Sequence, residues 1–334
     1  KNVFKAVSVL GFTDLENMAF DASIIQNLGL VGDVTTLDTD KSDKLFGSKI
    51  VHATLSDMLF AQTEGAESVL AVPYYDVDSN PVRYFDAGDG IDYLSTDELE
   101  NILQALLTLD ITDFADVSSL DLNGIIDNSA ELLGSAILHA TISKQVFDLG
   151  GDIIVVPYQD ELGGDIRVTV GDTLLSTDTE YITKDEINNV LDALKILGIT
   201  DINSFDGTVG LATLMVDNNK DTVLESATIQ ATISDQLISL DTDGTVNLPY
   251  FKEDGVTAVR VVVGPVGKET EYVTKTEISA MLDALDALGI SDVESFTGSV
   301  NLNTLNANSA VILDSAMIQA TVYKQVLDLT TSGG

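Results

Sequence analysis

Ser48-Lys-Ile-Val-His-Ala-Thr-Leu-Ser56, Ser135-Ala-Ile-Leu-His-Ala-Thr-Ile-Ser143, Ser226-Ala-Thr-Ile-Gln-Ala-Thr-Ile-Ser234 and Ser315-Ala-Met-Ile-Gln-Ala-Thr-Val-Tyr323 are four versions of one phrase. Their first residues stand 87, 91 and 89 positions apart, and self-similarity at a fixed period marks a repeat architecture. The opening Ser predicts a helix N-cap, since its hydroxyl can accept from an orphan N–H of the first turn. Residues three, seven, eleven and fourteen past it are apolar, as in Ile229, Ile233, Leu237 and Leu240. One face of this helix therefore belongs to a core. The small Ala and Thr predict close approach of a neighbouring helix.

An upstream helix goes with each phrase. Three of its copies open with a capping box, Ser95-Thr-Asp-Glu98, Thr183-Lys-Asp-Glu186 and Thr274-Lys-Thr-Glu277, in which Ser or Thr and the Glu three residues on cap the same helix start. Apolar residues follow at helical spacing, as in Ile187, Val190, Leu191, Leu194 and Leu197. The helix closes on a turn reading Leu109-Asp-Ile-Thr-Asp113, Leu197-Gly-Ile-Thr-Asp201 or Leu288-Gly-Ile-Ser-Asp292. Leu10-Gly-Phe-Thr-Asp14 matches that turn with no capping box before it, so the chain is expected to begin inside a helix, as a piece of a longer tandem array. Short apolar runs after the turn, Leu120 to Ile126 and Val209 to Val216, predict a brief intervening helix.

Between the helical blocks lie segments of another character. Ser68-Val-Leu-Ala-Val-Pro-Tyr74, Asp152-Ile-Ile-Val-Val-Pro-Tyr158 and Thr245-Val-Asn-Leu-Pro-Tyr250 are each followed by an acidic turn and a β-rich run: Pro81 to Phe85, Asp165 to Val170 and Ala258 to Val263. Each pair reads as a β-hairpin. A third short strand is expected at Asp92-Tyr93, Glu180-Tyr-Ile182 and Glu271-Tyr-Val273. Proline beside the first run places it at an edge or a bulge, and the Tyr after it is read as a packed seam residue.

The fold class read from this pattern is α+β: a tandem repeat of about 90 residues, each a β-hairpin or small three-stranded sheet plus a three-helix block, stacked into an elongated array. The divisions are an N-terminal partial repeat at 1–60, repeats at 61–149 and 150–240, and a last repeat with a short linker stub at 241–334. Short junctions such as Leu149-Gly-Gly-Asp152 favour a semi-rigid rod over loose beads.

Composition narrows the function. With 54 acidic against 16 basic residues the formal charge is −38, which repels nucleic acid and anionic lipid, whose recognition rests on Lys and Arg. The absence of cysteine excludes a disulfide framework, a thiolate nucleophile and Cys-ligated metal. No apolar run is long and clean enough for membrane insertion as a helix.

No catalytic constellation stands out. His52 and His139 occupy places held by Gln230 and Gln319 in the other copies, so the position calls for a hydrogen-bonding group rather than an imidazole. Gly264-Pro-Val-Gly-Lys268 is too short for a phosphate-binding loop. A carboxylate pair of the glycosidase kind has no Trp platform beside it.

Calcium is the one cofactor the sequence suggests, and otherwise none is expected. Asp76, Asp78 and Asn80 place oxygen ligands at alternate positions, as do Asp38-Thr-Asp-Lys-Ser-Asp43 and Asp217-Asn-Asn-Lys-Asp221. All three lack the EF-hand Gly at the sixth place and the carboxylate at the twelfth, and the runs are read as not recurring in matching positions.

The expected function is that of a non-enzymatic structural or adhesive repeat segment of a large acidic bacterial cell-surface or extracellular protein, acting as spacer or stalk. Its partners would be neighbouring repeats or identical subunits, with no nucleic acid. The alternatives are a self-assembling, calcium-dependent filament or surface-layer subunit, and a carbohydrate-active or peptide-cleaving enzyme.

Overall fold

The computed structural model describes residues 46–62, 70–86, 91–109, 128–150, 153–171, 178–200, 219–290 and 296–332, with shorter pieces between them. The Leu10 turn, the Asp38 run and most of Leu120 to Ile126 lie outside the described residues.

In chain order the elements are α1 (Lys49–Ala61), β1 (Arg83–Asp86), β2 (Ile91–Leu94), α2 (Thr96–Thr108), α3 (Ser129–Leu132), α4 (Ala136–Asp148), β3 (Arg167–Val170), β4 (Thr179–Ile182) and α5 (Lys184–Ile196). They continue with α6 (Leu211–Leu214), α7 (Asn219–Glu225), α8 (Ala227–Thr242), β5 (Arg260–Val263), β6 (Thr270–Val273), α9 (Lys275–Ala287), α10 (Leu302–Ile312) and α11 (Ala316–Ser332). This is a mixed α+β fold of helices and small antiparallel sheets. Contacts divide it into two compact units, Lys1–Gln145 with Val168–Lys184, and Val146–Arg167 with Asp185–Gly334. Among the described residues no helix is long and apolar enough to cross a membrane.

The capped helices α2 and α9 start where expected, with the Ser95 and Thr274 side chains accepting from the Glu98 and Glu277 amides. Their stripes are fully buried: Leu99, Ile102, Leu103 and Leu106 in the first unit, Ile278, Met281, Leu282 and Leu285 in the second. The Gly turns are Schellman caps. Gly198 at φ 74° and Gly289 at φ 72° follow α5 and α9, and Ile199 and Ile290 donate back to Leu194 and Leu285.

The β segments pair differently from the sequence expectation. Each sheet has two strands, β1-β2, β3-β4 and β5-β6, joining the second and third runs, with Tyr84 opposite Tyr93 and Val261 opposite Tyr272. The first run pairs with the second through isolated bridges rather than a ladder, Tyr75 to Pro81, Gln159 to Asp165 and Phe251 to Ala258. The reason is that its donors are used elsewhere: Ala71, Val155 and Asn247 give their N–H groups to the Thr141, Thr232 and Thr321 hydroxyls. A backbone bonded to a helix side chain has less to offer a ladder.

Candidate functional site

The recurring Ser-initiated phrase is a helix that, in α4 and α8, grips two extended segments. In α4, the Thr141 hydroxyl donates to the Ile137 carbonyl and accepts from Ala71. Its neighbour His139 meets the Ile182 carbonyl through Nε2 at 2.7 Å, and Ser143 accepts the Ile182 N–H. Thr thus holds a run from far upstream, while His and Ser hold both backbone groups of a strand residue downstream. In α8 the same offsets recur: Thr232 accepts from Val155, Gln230 donates to the Val273 carbonyl at 3.1 Å, and Ser234 accepts from Val273 at 3.0 Å. In α1, His52 meets the Leu94 carbonyl and Ser56 accepts from Leu94. Sequence separations for the His or Gln bond are 42, 43 and 43 residues.

The Thr therefore does more than permit close packing. It is the acceptor for an extended backbone, a role the sequence signals only through its recurrence.

The downstream strand brings a Tyr with it. Tyr181 and Tyr272 are fully buried, and their hydroxyls donate to the Tyr75 and Gln159 carbonyls, beside the Pro-Tyr turns. Burial raises both phenols well above their ordinary range, so they stay protonated donors. In the second unit an acid joins the seat: one Glu161 carboxylate oxygen accepts from Gln230 Nε2 at 2.7 Å and from the Lys275 N–H at 3.0 Å. Val77 stands at the Glu161 place in the first unit, and the gripping residue there is His139.

The gripping helices α4, α8 and α11 are each anchored by a buried Glu. The Glu98 carboxylate accepts from the Ser135 hydroxyl at 2.7 Å and from the Ala136 and Ile137 N–H groups, both at 3.0 Å. Glu186 does the same for Ser226, Ala227 and Thr228, and Glu277 for Ser315 and Met317. The capping boxes thus work across two helices rather than within one. Ser95 and Thr274 cap their own helices, and the Glu expected to reach back reaches forward to the N-terminus of the following gripping helix, α4, α8 or α11, where the dipole favours a negative group. Burial pushes the Glu98 and Glu186 carboxyls up, against the N–H and hydroxyl bonds that pull them down.

An arginine clamps each Pro-Tyr turn. Arg83, Arg167 and Arg260 lie over the Tyr74, Tyr158 and Tyr250 rings at 3.7, 4.3 and 4.6 Å from the centroids. Arg167 and Arg260 also donate through Nε to the Pro157 and Leu248 carbonyls, each at 3.1 Å. These Tyr residues pack against the arginines of the chain itself, with Tyr74 and Tyr158 partly buried and Tyr250 57% exposed.

Asp76, Asp78 and Asn80 share one exposed turn. Asp76 Oδ1 accepts from the Asp78 and Asn80 N–H groups, and Oδ2 accepts from the Asn80 side-chain amide at 2.9 Å. The run of oxygen ligands does not recur, and only its first acid does: Asp160 occupies the Asp76 place and accepts from the Leu162 and Gly164 N–H groups, while Leu162 and Gly164 stand where Asp78 and Asn80 do. Among the described residues no group of three or more His, Asp or Glu side chains could hold a metal ion. No protein family, no curated protein and no solved structure matches this chain.

Proposed function

We propose that the chain is a structural or adhesive segment built of tandem units of about 90 residues, stacked into an elongated array, serving as spacer or stalk in a large acidic cell-surface or extracellular protein. The observation that carries the reading is the seat on α4 and α8, where Thr holds one extended run and His or Gln holds a strand from the following copy. Such a joint ties each unit to its neighbour, as nearest-neighbour interfaces do in a solenoid. The strongly perturbed groups are spent on these joints, which favours construction over catalysis: Glu98 and Glu186 cap helices and His139 holds a carbonyl. Small-angle scattering at two concentrations, with and without calcium, tests the proposal. A rod-like profile independent of both supports a spacer, and a compact profile overturns it.

The second reading is a self-assembling subunit, and one observation favours it: the hairpin strands leave Tyr84, Phe85 and Val262 exposed. Mass that grows with concentration would select that reading.

A further inference from the structure

Resting on the repeat reading, we infer that the groove lined by Pro249, Phe251, Glu253, Gln319, Ala320 and Tyr323 is the seat for one further Tyr-bearing hairpin, from a polypeptide whose hairpin is not already seated on its own helix.

The argument is positional. Phe251 and Glu253 stand two and four residues past Pro249, as Gln159 and Glu161 stand past Pro157. Gln319 and Thr321 hold the places of Gln230 and Thr232. The upstream half of this grip is filled, with Asn247 donating to Thr321 at 2.9 Å. On the downstream half, Gln319 Nε2 reaches Glu253 at 3.2 Å, as Gln230 reaches Glu161, but among the described residues no strand carbonyl completes the set. The cavity of about 360 Å³ opens where Tyr272 and Val273 lie in the preceding seat.

Exposure follows the same line. Leu59, Val146 and Leu237 are at most 1% exposed, whereas Val326, eleven residues past its Ser like each of them, is 50% exposed. Tyr323 is 65% exposed where Ser56, Ser143 and Ser234 are buried.

The occupant's chemistry can be read from the filled seats. It is a strand of acidic residue, Tyr and aliphatic residue, followed by a Ser or Thr helix cap. Its Tyr hydroxyl would donate to the Phe251 carbonyl, its aliphatic residue's carbonyl would accept from Gln319, and its first helical N–H would meet Glu253. The bond lost is the one made by Ser, since Tyr323 carries its hydroxyl at the far end of a ring. A second copy with all its hairpins seated has no such strand to give: Leu94, Ile182 and Val273 are held by His52, His139 and Gln230.

The test lengthens the chain in register. Gly334 stands 19 residues past Ser315, as Thr245 does past Ser226, so a copy of residues 246–332 is appended after Gly334 and amide exchange is followed. Residues 319–327 should exchange at least roughly tenfold more slowly than in the unextended chain, as amides do on joining a packed element. Tyr272→Ala in the appended copy alone, or Ala320→Trp in the groove, should remove that protection while the appended helices stay protected. The inference is overturned if the appended unit is protected without slowing residues 319–327, or if it stays unprotected throughout. It is also overturned if the unextended chain at high concentration protects the same residues and doubles in mass, which would make a second copy the occupant. Scattering from the unextended dilute chain reports separately on the rod, so a compact profile would end the repeat-spacer reading while leaving the exchange result to judge the groove.

Discussion

The Glu98 carboxylate accepts a 2.7 Å hydrogen bond from the Ser135 hydroxyl, across 37 residues of sequence and with Glu98 only 4% exposed. One acid thereby satisfies orphan donors of a helix it does not belong to. The same bond joins Glu186 to Ser226 and Glu277 to Ser315. Its removal should be costly because the donors remain buried. Glu186→Ala strands the Ser226 hydroxyl and the Ala227 and Thr228 amides, and should destabilise the protein by about 3–5 kcal/mol, the range for breaking a buried charged network by deleting one partner. Glu186→Gln keeps one acceptor and should cost less. Urea unfolding of the two variants checks the order, and equal losses would mean that packing volume rather than acceptor chemistry matters there.

His139 makes stability depend on pH. Burial holds its imidazole neutral, down to about 4 from an ordinary 6.5, and the Ile182 carbonyl only partly opposes this. The unfolded chain takes up this proton near 6.5 and the folded chain does not until about 4. The contribution is therefore complete above 6.5 and is lost as pH falls through that window, at about 1.4 kcal/mol per pH unit. Glu98 has the opposite sign: its raised carboxyl takes up a proton in the folded state first, so stability rises as pH falls through its folded value. His139→Gln copies Gln230 and deletes one titration while leaving the others. Compared with the parent in urea midpoints, it should gain progressively below pH 6.5, by about 3 kcal/mol at pH 4. A difference that stays flat across that range would mean the imidazole is not held neutral.

The helices were legible because their signals are local. Ser95 and Thr274 announce their starts, Gly198 and Gly289 their ends, and the period of Ile187, Val190, Leu191 and Leu194 their buried face. What escaped is long-range. Glu98 looks the same to a local rule whether it caps its own helix or the next one. Ala71, Val155 and Asn247 sit in runs with good strand composition, yet their N–H groups go to threonines 70, 77 and 74 residues away. The gripping phrase itself was visible as recurrence, and the substitution of Gln for His correctly pointed to hydrogen bonding. Its partners were not legible, because the strand carbonyls it bonds lie more than 40 residues downstream. Arg83, Arg167 and Arg260 were equally visible as a recurring basic residue in an acidic chain, but their target, the Pro-Tyr turn, is set by the hairpin's path.

Ser79 offers a gain in stability. It is the one described non-glycine residue with positive φ, at 67°, and Gly163 and Gly255 take that conformation in the other Asp turns, at 87° and 68°. The left-handed region costs a residue with a Cβ about 1 kcal/mol, and Ser79 is exposed, so it has little packing to lose. Ser79→Gly should stabilise the first unit by about 0.5–1 kcal/mol, after allowing for the greater freedom of glycine in the unfolded chain. A lowered melting temperature would show that the Ser side chain contributes more than the backbone strain costs.

Arg260 tests how the hairpin root is held. Its guanidinium lies over Tyr250, donates to the Leu248 carbonyl, and pairs with Asp241 and with Glu271 at 3.2 Å, with its side chain 7% exposed. A lysine can replace the charge but not the planar fork that serves an aromatic face, a carbonyl and two carboxylates together. Arg260→Lys should therefore destabilise by about 1–3 kcal/mol, the scale of hydrogen bonds to charged groups, while leaving net charge unchanged. Because the arginine is nearly enclosed, the loss should persist in 1 M salt, where exposed ion pairs are screened beyond about 3 Å. Thermal melts of parent and variant at low and high salt decide the matter. If the gap closes in high salt, the Asp241 and Glu271 pairs dominate and the bonds to Leu248 and Tyr250 are secondary; if it stays open, the fork's geometry holds the root of the hairpin against the gripping helix.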